Sequence, residues 1–198
     1  MRRRLLALLF CFVLTSAALA QFSYAPQSGV KLRGRGFSEL FAAQKGLLSN
    51  YCRLDFEGAR LEAVGWNRFK PYTSLRANPE FNRVVIVTRF NIETPDQPVE
   101  ELSASYQTVG FYQEGEGFTA QATNDQVTFR VQEQNGDLLV TAIRPESPHV
   151  SPRAAIAWMN LRLADPQTTD LERVHLKDAM QQLNKFLPQP RPATPPGA

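Results

Sequence analysis

Residues 83–92 read RVVIVTRFNI. The run is β-branched and aromatic, the chemistry that fits a pleated, half-buried surface, and it predicts a strand. At a period of two, Val84, Ile86, Thr88, Phe90 and Ile92 share one face, and Val85, Val87, Arg89 and Asn91 share the other. Asn78-Pro79 precedes the run, and Thr94-Pro95-Asp96-Gln97-Pro98 follows it as a turn. Three further strands are expected downstream. They are Leu102 to Tyr112, with Gly110 marking a bulge, then Gln126 to Glu133, then Leu138 to Arg144. The last two are joined by Asn135-Gly136, a strong short-range hairpin signal, and Glu114-Gly115-Glu116-Gly117 reads as a loop.

Upstream the period changes. Phe37, Leu40, Phe41, Leu47, Leu48, Tyr51, Cys52 and Phe56 recur at spacings of three and four, which predicts a helix over about 38–56. Gly58 ends it. A short helical stretch from Ala59 to Phe69 follows, anchored by Leu61, Trp66 and Phe69 and stopped by Pro71. After the strands, Ser151-Pro152 places a cap before a proline at the first helical position. Asp165-Pro166 breaks that helix, and Thr169 and Glu172 have capping-box spacing for the last one. Helices, a strand meander and helices again predict an α+β fold. Its sheet is curled and mostly antiparallel, with helices packed on one face.

The chain has 198 residues, 43% hydrophobic and 21% charged, which fits one folded domain and excludes wholesale disorder. Residues 1–20 resemble an export signal: Arg2, Arg3 and Arg4, an apolar run from Leu5 to Leu14, then Ala18-Leu19-Ala20 at signal-peptidase spacing. Cleavage predicts a mature start at Gln21 and a periplasmic or secreted protein without a membrane span. Cys11 follows Phe10, where lipid modification requires a small residue. Removing three Arg leaves 19 basic and 19 acidic residues, so the mature chain is neutral. It lacks the positive field that non-specific nucleic-acid binding uses. Lys31, Arg33 and Arg35 lie in a glycine-flanked lead-in over 21–36 that reads as a solvated linker. The final residues, PQPRPATPPGA over 188–198, read as an extended proline-rich tail. Cys52 alone among mature cysteines lies on an apolar helical stripe, which points to packing rather than chemistry.

The run YCRLDFEGARLEAVGWNRFKPYT followed by RVVIVTRFNI, then SASYQTVGFY, VTFRVQEQ, the Asn-Gly hairpin and LLVTAIRPESPHVS, resembles the nuclear transport factor 2-like superfamily. That superfamily includes ketosteroid isomerase, scytalone dehydratase and the SnoaL-like cyclases. The resemblance covers residues 37–163, followed by a C-terminal helix over 164–187. It is one of element order and scattered aromatics, without a catalytic string. It implies a cone-shaped sheet whose first helices enclose a pocket, often in a dimer.

In the isomerase and dehydratase branches that pocket carries a Tyr with an Asp or a His–Asp pair. Tyr51 and Asp55, four apart on one helical face, offer a phenol and a carboxylate. The region from Thr73 to Arg83, where the isomerase branch holds its base, has Glu80 as its only acid. The residues expected to line the pocket are Tyr51, Asp55, Trp66, Tyr72, Arg89 and Tyr106. Four of them have a plainer reading. Asp55 can pair with Arg53 or Arg60 or cap the next turn, Tyr51 and Trp66 can be core aromatics, and Arg89 can sit on the outer face in a cross-strand charge pair. His149 reads as a loop contact and His175 as a surface group. Glu172 and His175 form half of a carboxylate-bundle motif, too little for a metal site. No metal and no cofactor is expected.

Two functions compete. The first is a non-catalytic exported domain that binds a small apolar or amphipathic ligand, a second copy, or an envelope protein. The second is an isomerase- or dehydratase-type enzyme with Asp55 as base and Tyr51 as oxyanion donor.

Overall fold

A computed structural model describes residues 37–76, 81–93 and 99–187. The signal, the lead-in, the proline-rich tail, the 94–98 turn and Glu80 lie outside the described residues. The fold is α+β. A mixed sheet curls into a half-barrel, with the N-terminal helix packed on it and two helices at the C-terminus.

Helix α1 (Phe37–Phe56) is followed by two short 3-10 turns, Ala59–Leu61 and Gly65–Arg68, where one short helix was expected. The strands are β1 (Arg83–Glu93), β2 (Glu101–Gln113), β3 (Gly117–Ala120), β4 (Asn124–Gln134), β5 (Asp137–Arg144) and β6 (His149–Val150). Helices α2 (Pro152–Ala164) and α3 (Asp170–Leu183) complete the chain. The sheet order is β5-β4-β2-β1-β6, with β3 beside the far half of β2. All pairs of named strands are antiparallel except β1 with β6. Strands β3 and β6 were not expected: the sequence put Gly117 at the end of a loop and made His149 a loop contact. Four and two residues are too short to establish a period.

Helices cover both faces of the sheet rather than one. On the first face, Leu47, Leu48 and Tyr51 of α1 pack with Val85, Val87, Ala104, Tyr106, Phe129 and Val140. On the second, Met159 of α2 and Leu176, Ala179 and Leu183 of α3 pack with Val84, Ile86, Tyr112 and Val150. The start of β1 is therefore buried on both sides, which explains its unbroken apolar run.

The expected alternation along β1 holds only to Val87. Ile86 faces Gly110, Val87 faces Thr108, and Arg89 faces Gln107. Val109 in β2 and Thr88 in β1 are each left unopposed, and these two insertions cancel in register. The extra residue at Thr88 reverses the faces, so Phe90 and Ile92 join the first core beside Val85 and Val87. Gly110 is required here because a Cβ would lie 2.3 Å from the Thr119 carbonyl oxygen. At the β4–β5 hairpin, Asn135 and Gly136 both adopt positive φ, 55° and 85°, as a type I′ turn demands.

The caps follow the sequence reading in part. The Ser151 side chain accepts from Ala154 N–H, with Pro152 at the start of α2. Thr169 accepts from Glu172 N–H at 3.2 Å. The Glu172 carboxylate does not complete the capping box and takes Arg162 at 2.7 Å instead. No helix among the described residues is long and apolar enough to cross a membrane.

Candidate functional site

Helical spacing places Tyr51, Cys52 and Asp55 on the side of α1 that meets the sheet, and all three are buried. Tyr106 arrives from the middle of β2 and His149 from β6. Arg60 arrives from the 3-10 turn that follows the left-handed Gly58 (φ 81°). Asp55 Oδ2 accepts the His149 backbone N–H at 3.1 Å and Arg60 Nη1 at 3.3 Å. Arg60 Nη2 donates to the Glu146 carbonyl. The sequence left Arg53 or Arg60 as partner for Asp55. Arg60 takes that place, and Arg53 pairs with Glu57.

His149 Nδ1 lies 2.9 Å from the Ser147 carbonyl oxygen. A carbonyl only accepts, so Nδ1 carries the proton and a neutral ring leaves Nε2 as a lone-pair acceptor. Burial holds the His149 pKa below its ordinary 6.5, against the attraction of Asp55. Burial also raises the Asp55 carboxyl above its ordinary range, outweighing Arg60 and the bonds from His149 and Arg60. Burial would lower Arg60, but Asp55 more than offsets this and the guanidinium stays charged. Desolvation lifts both Tyr51 and Tyr106 well above a free phenol and pushes Cys52 up to about 12. Cys52 is therefore a packed thiol. The Tyr106 and His149 ring centroids lie 4.5 Å apart, and Tyr51 meets Phe69 edge-on at 4.8 Å.

Five polar atoms of this cluster are buried without a hydrogen-bond partner among the described residues: Tyr51 Oη, Asp55 Oδ1, Arg60 Nε, Tyr106 Oη and His149 Nε2. Buried polar side-chain atoms are normally hydrogen-bonded, so the cluster is unusually polar for a core position.

Beside the cluster lies an open cleft of about 470 Å³. Trp66, Phe81, Leu75 and Ile143 supply its apolar lining, and Arg60, Arg76 and Arg144 its cations, with Glu146 as the one acid among the described residues. Arg60 belongs to both places and lies 5.2 Å from the Phe81 ring centroid. Trp66 is stacked on Phe69 at 5.3 Å, which fixes its plane. Neither Arg76 nor Arg144 pairs with an acid among the described residues.

The six residues expected to line one pocket are divided among different places. Tyr51, Asp55 and Tyr106 meet in the cluster, and Trp66 lines the cleft. Tyr72 is buried, and its carbonyl accepts Val140 N–H at the edge of β5. Arg89 is exposed on the opposite face of the sheet and borders a separate pocket, which the Tyr106 residue also reaches. Sequence reasoning undervalued Arg60 and His149. Arg60 lies five residues beyond Asp55 across a helix-ending glycine, a spacing without a standard pattern. His149 sits in a two-residue strand. Among the described residues, no His, Cys, Asp and Glu gather as a metal site.

Comparison of the chain with family models, curated protein sequences and solved structures gives no match.

Proposed function

We propose that this is an exported, non-catalytic binding domain of nuclear transport factor 2-like type, whose cleft takes an amphipathic anion. The observation that carries the reading is the lining of the cleft. Trp66, Phe81 and Ile143 offer apolar contact, while Arg76 and Arg144 are cations without acid partners among the described residues. Its volume lies within the range of about 300–1,000 Å³ for small-molecule sites. A ligand with an apolar body and one carboxylate meets both needs. The signal-like residues 1–20 support export.

The test is a titration of the mature protein, carrying Trp158→Phe so that Trp66 is the only tryptophan, with laurate and with dodecanol. Laurate is expected to shift Trp66 emission and to bind at least tenfold more tightly than dodecanol. Arg144→Gln is expected to lower laurate affinity about tenfold. Equal binding of the two probes, or an unchanged Trp66 signal with both, overturns the reading.

A second reading is the acid–base enzyme. It rests on the gathering of Tyr51, Asp55, Tyr106 and His149 with unpartnered atoms. It is weaker because neither Tyr51 nor Asp55 lines the cleft, and Asp55 Oδ2 is already engaged twice. It requires Asp55→Asn to abolish turnover of an enolisable ketone or a β-hydroxy carbonyl compound while leaving the fold intact. Turnover that survives the substitution excludes it.

A further inference from the structure

The paired bulges in β1 and β2 have a consequence on the face away from α1. They turn Arg89 outward, in one row with Gln107 of β2 and Asn124 of β4. The next row is Asn91, Ser105 and Gln126. Strands spaced about 4.8 Å apart, with same-face residues about 6.8 Å apart along each, make this a lattice of hydrogen-bonding side chains. Five of the six border a pocket of about 560 Å³. Helices α2 and α3 cover the other end of this face, around Val84, Ile86 and Tyr112.

The lattice is not a self-satisfied network. Arg89, Asn91 and Asn124 make no side-chain hydrogen bond or ion pair among the described residues. Glu93, the acid next along β1, accepts Gln126 Nε2 at 3.0 Å. Gln107 is held from behind, since the bulge residue Thr88 donates to either its carbonyl or its Oε1, each at 3.3 Å. When Thr88 takes Oε1, the Gln107 amide N–H₂ is left free to donate outward. The row therefore presents one unpaired guanidinium with two primary amides in line beyond it, and the next row adds the Ser105 hydroxyl and two further amides, of which Gln126 is engaged by Glu93.

We propose that this strip is a second binding site, for an acidic saccharide. The guanidinium matches a uronate carboxylate, and the amides and the Ser105 hydroxyl match sugar hydroxyls. Other ligand classes fit less well. A single cation is too few for a nucleic-acid backbone, and the half-buried Phe90 at the pocket packs against the core under α1 rather than standing out as a platform for base stacking. Phe90 and Tyr106 also border the pocket, but both rings pack into the core under α1, so among the described residues the strip offers no exposed apolar anchor of the kind on which protein interfaces are built. The side chains of this site are distinct from those that line the cleft.

The test is an amide-shift titration of the mature protein with tetramers of galacturonate, mannuronate and guluronate, each compared with its neutral methyl ester. At least one uronate is expected to shift the amides of Arg89, Gln107 and Asn124 and to bind at least tenfold more tightly than its ester. Arg89→Gln is expected to lower that affinity about tenfold and Asn124→Ala severalfold. Both positions are exposed, so both variants keep the fold, and laurate binding at the cleft serves as the control. Three results overturn the proposal: no shifts at millimolar saccharide with any uronate, equal binding of the esters, or shifts elsewhere on the molecule. Shifts of these residues that depend on protein concentration alone also overturn it, by assigning the strip to a second copy of the chain.

Discussion

Replacing Arg60 with Met tests the physical reading of the buried cluster. The Arg60 and Asp55 side chains are only 6% and 3% exposed. Arg60→Met keeps the length and apolar stem of the side chain but removes the charge that faces Asp55. The carboxylate then keeps a single backbone donor, His149 N–H, in a site almost without water. Breaking a buried pair from one side costs about 3–5 kcal/mol, mostly the penalty of the stranded charge. For a domain of this size each kcal/mol lowers Tm by about 2–4 °C, so a fall of roughly 6–20 °C is expected.

The double variant Asp55→Leu with Arg60→Met removes both charges. What remains is the unpaired His149 N–H, worth about 1–3 kcal/mol, together with the Glu146 carbonyl that has lost Arg60 Nη2, a loss Arg60→Met alone shares. The double variant is therefore expected to be more stable than Arg60→Met alone, a non-additivity that a double-mutant cycle reads directly. Urea denaturation supplies all four stabilities, with an unchanged m-value confirming that the same surface is exposed on unfolding. If Arg60→Met costs less than about 1 kcal/mol, or if the two substitutions simply add, the pair is not the buried, desolvated contact described.

His149 makes acid stability testable. Its folded pKa lies below 6.5, so as pH falls below 6.5 the unfolded chain gains a proton that the folded chain refuses, and stability declines. The raised Asp55 pKa works the other way: between its folded pKa and 3.8 the folded state holds the extra proton. His149→Gln is expected to flatten the loss of stability below pH 6.5, and Asp55→Asn to steepen it, both read from urea midpoints across pH. Gly110→Ala forces a Cβ to 2.3 Å from the Thr119 carbonyl oxygen and into the Phe118 ring, so β3 must separate from β2. A loss of about 1–3 kcal/mol is expected, with amide exchange accelerated first at Phe118–Ala120. Thr169→Ala removes the cap of α3 and is expected to cost about 1 kcal/mol by the same denaturation assay.

Elements governed by local chemistry were legible in the sequence. Helix α1 shows through its three-and-four spacing, the β4–β5 turn through Asn135-Gly136, and the start of α2 through Ser151-Pro152. What escaped was governed by partners distant in the chain. Strand β6 exists because Val85 and Ile86 offer a parallel edge to His149 and Val150, more than sixty residues later. The reversal of faces at Thr88 needs the matching insertion at Val109 in the neighbouring strand. Read from β1 alone, strict alternation put Phe90 and Ile92 with Val84, and Arg89 with Val85 and Val87 on the face that α1 covers, whereas the insertion at Thr88 places Arg89 on the opposite side. The candidate site was legible in the same measure. The pairing of Tyr51 with Asp55 follows from helical spacing, whereas the arrival of Arg60 and His149 depends on how the chain returns after two unrelated turns.

Arg60 connects the buried cluster to the cleft, and its position bears on what the cluster is for. An acid–base site needs its carboxylate free to reach a substrate. Here Asp55 Oδ2 is taken by Arg60 and by the backbone of His149, while Arg60 itself reaches on to the Glu146 carbonyl. These bonds tie three separate stretches together: the end of α1, the 3-10 turn, and the segment from Arg144 to His149. Two of those stretches carry cleft residues, Arg60 in the first 3-10 turn and Arg144 to Glu146 in the segment before β6. A polar core that fixes the backbone behind a cleft lowers the ordering cost of binding, since less of the wall remains to be immobilised by the ligand. On the proposed reading Asp55 and His149 act as positioning residues behind the cleft wall rather than as reacting groups, a role that a neutral His149 and a raised Asp55 both suit.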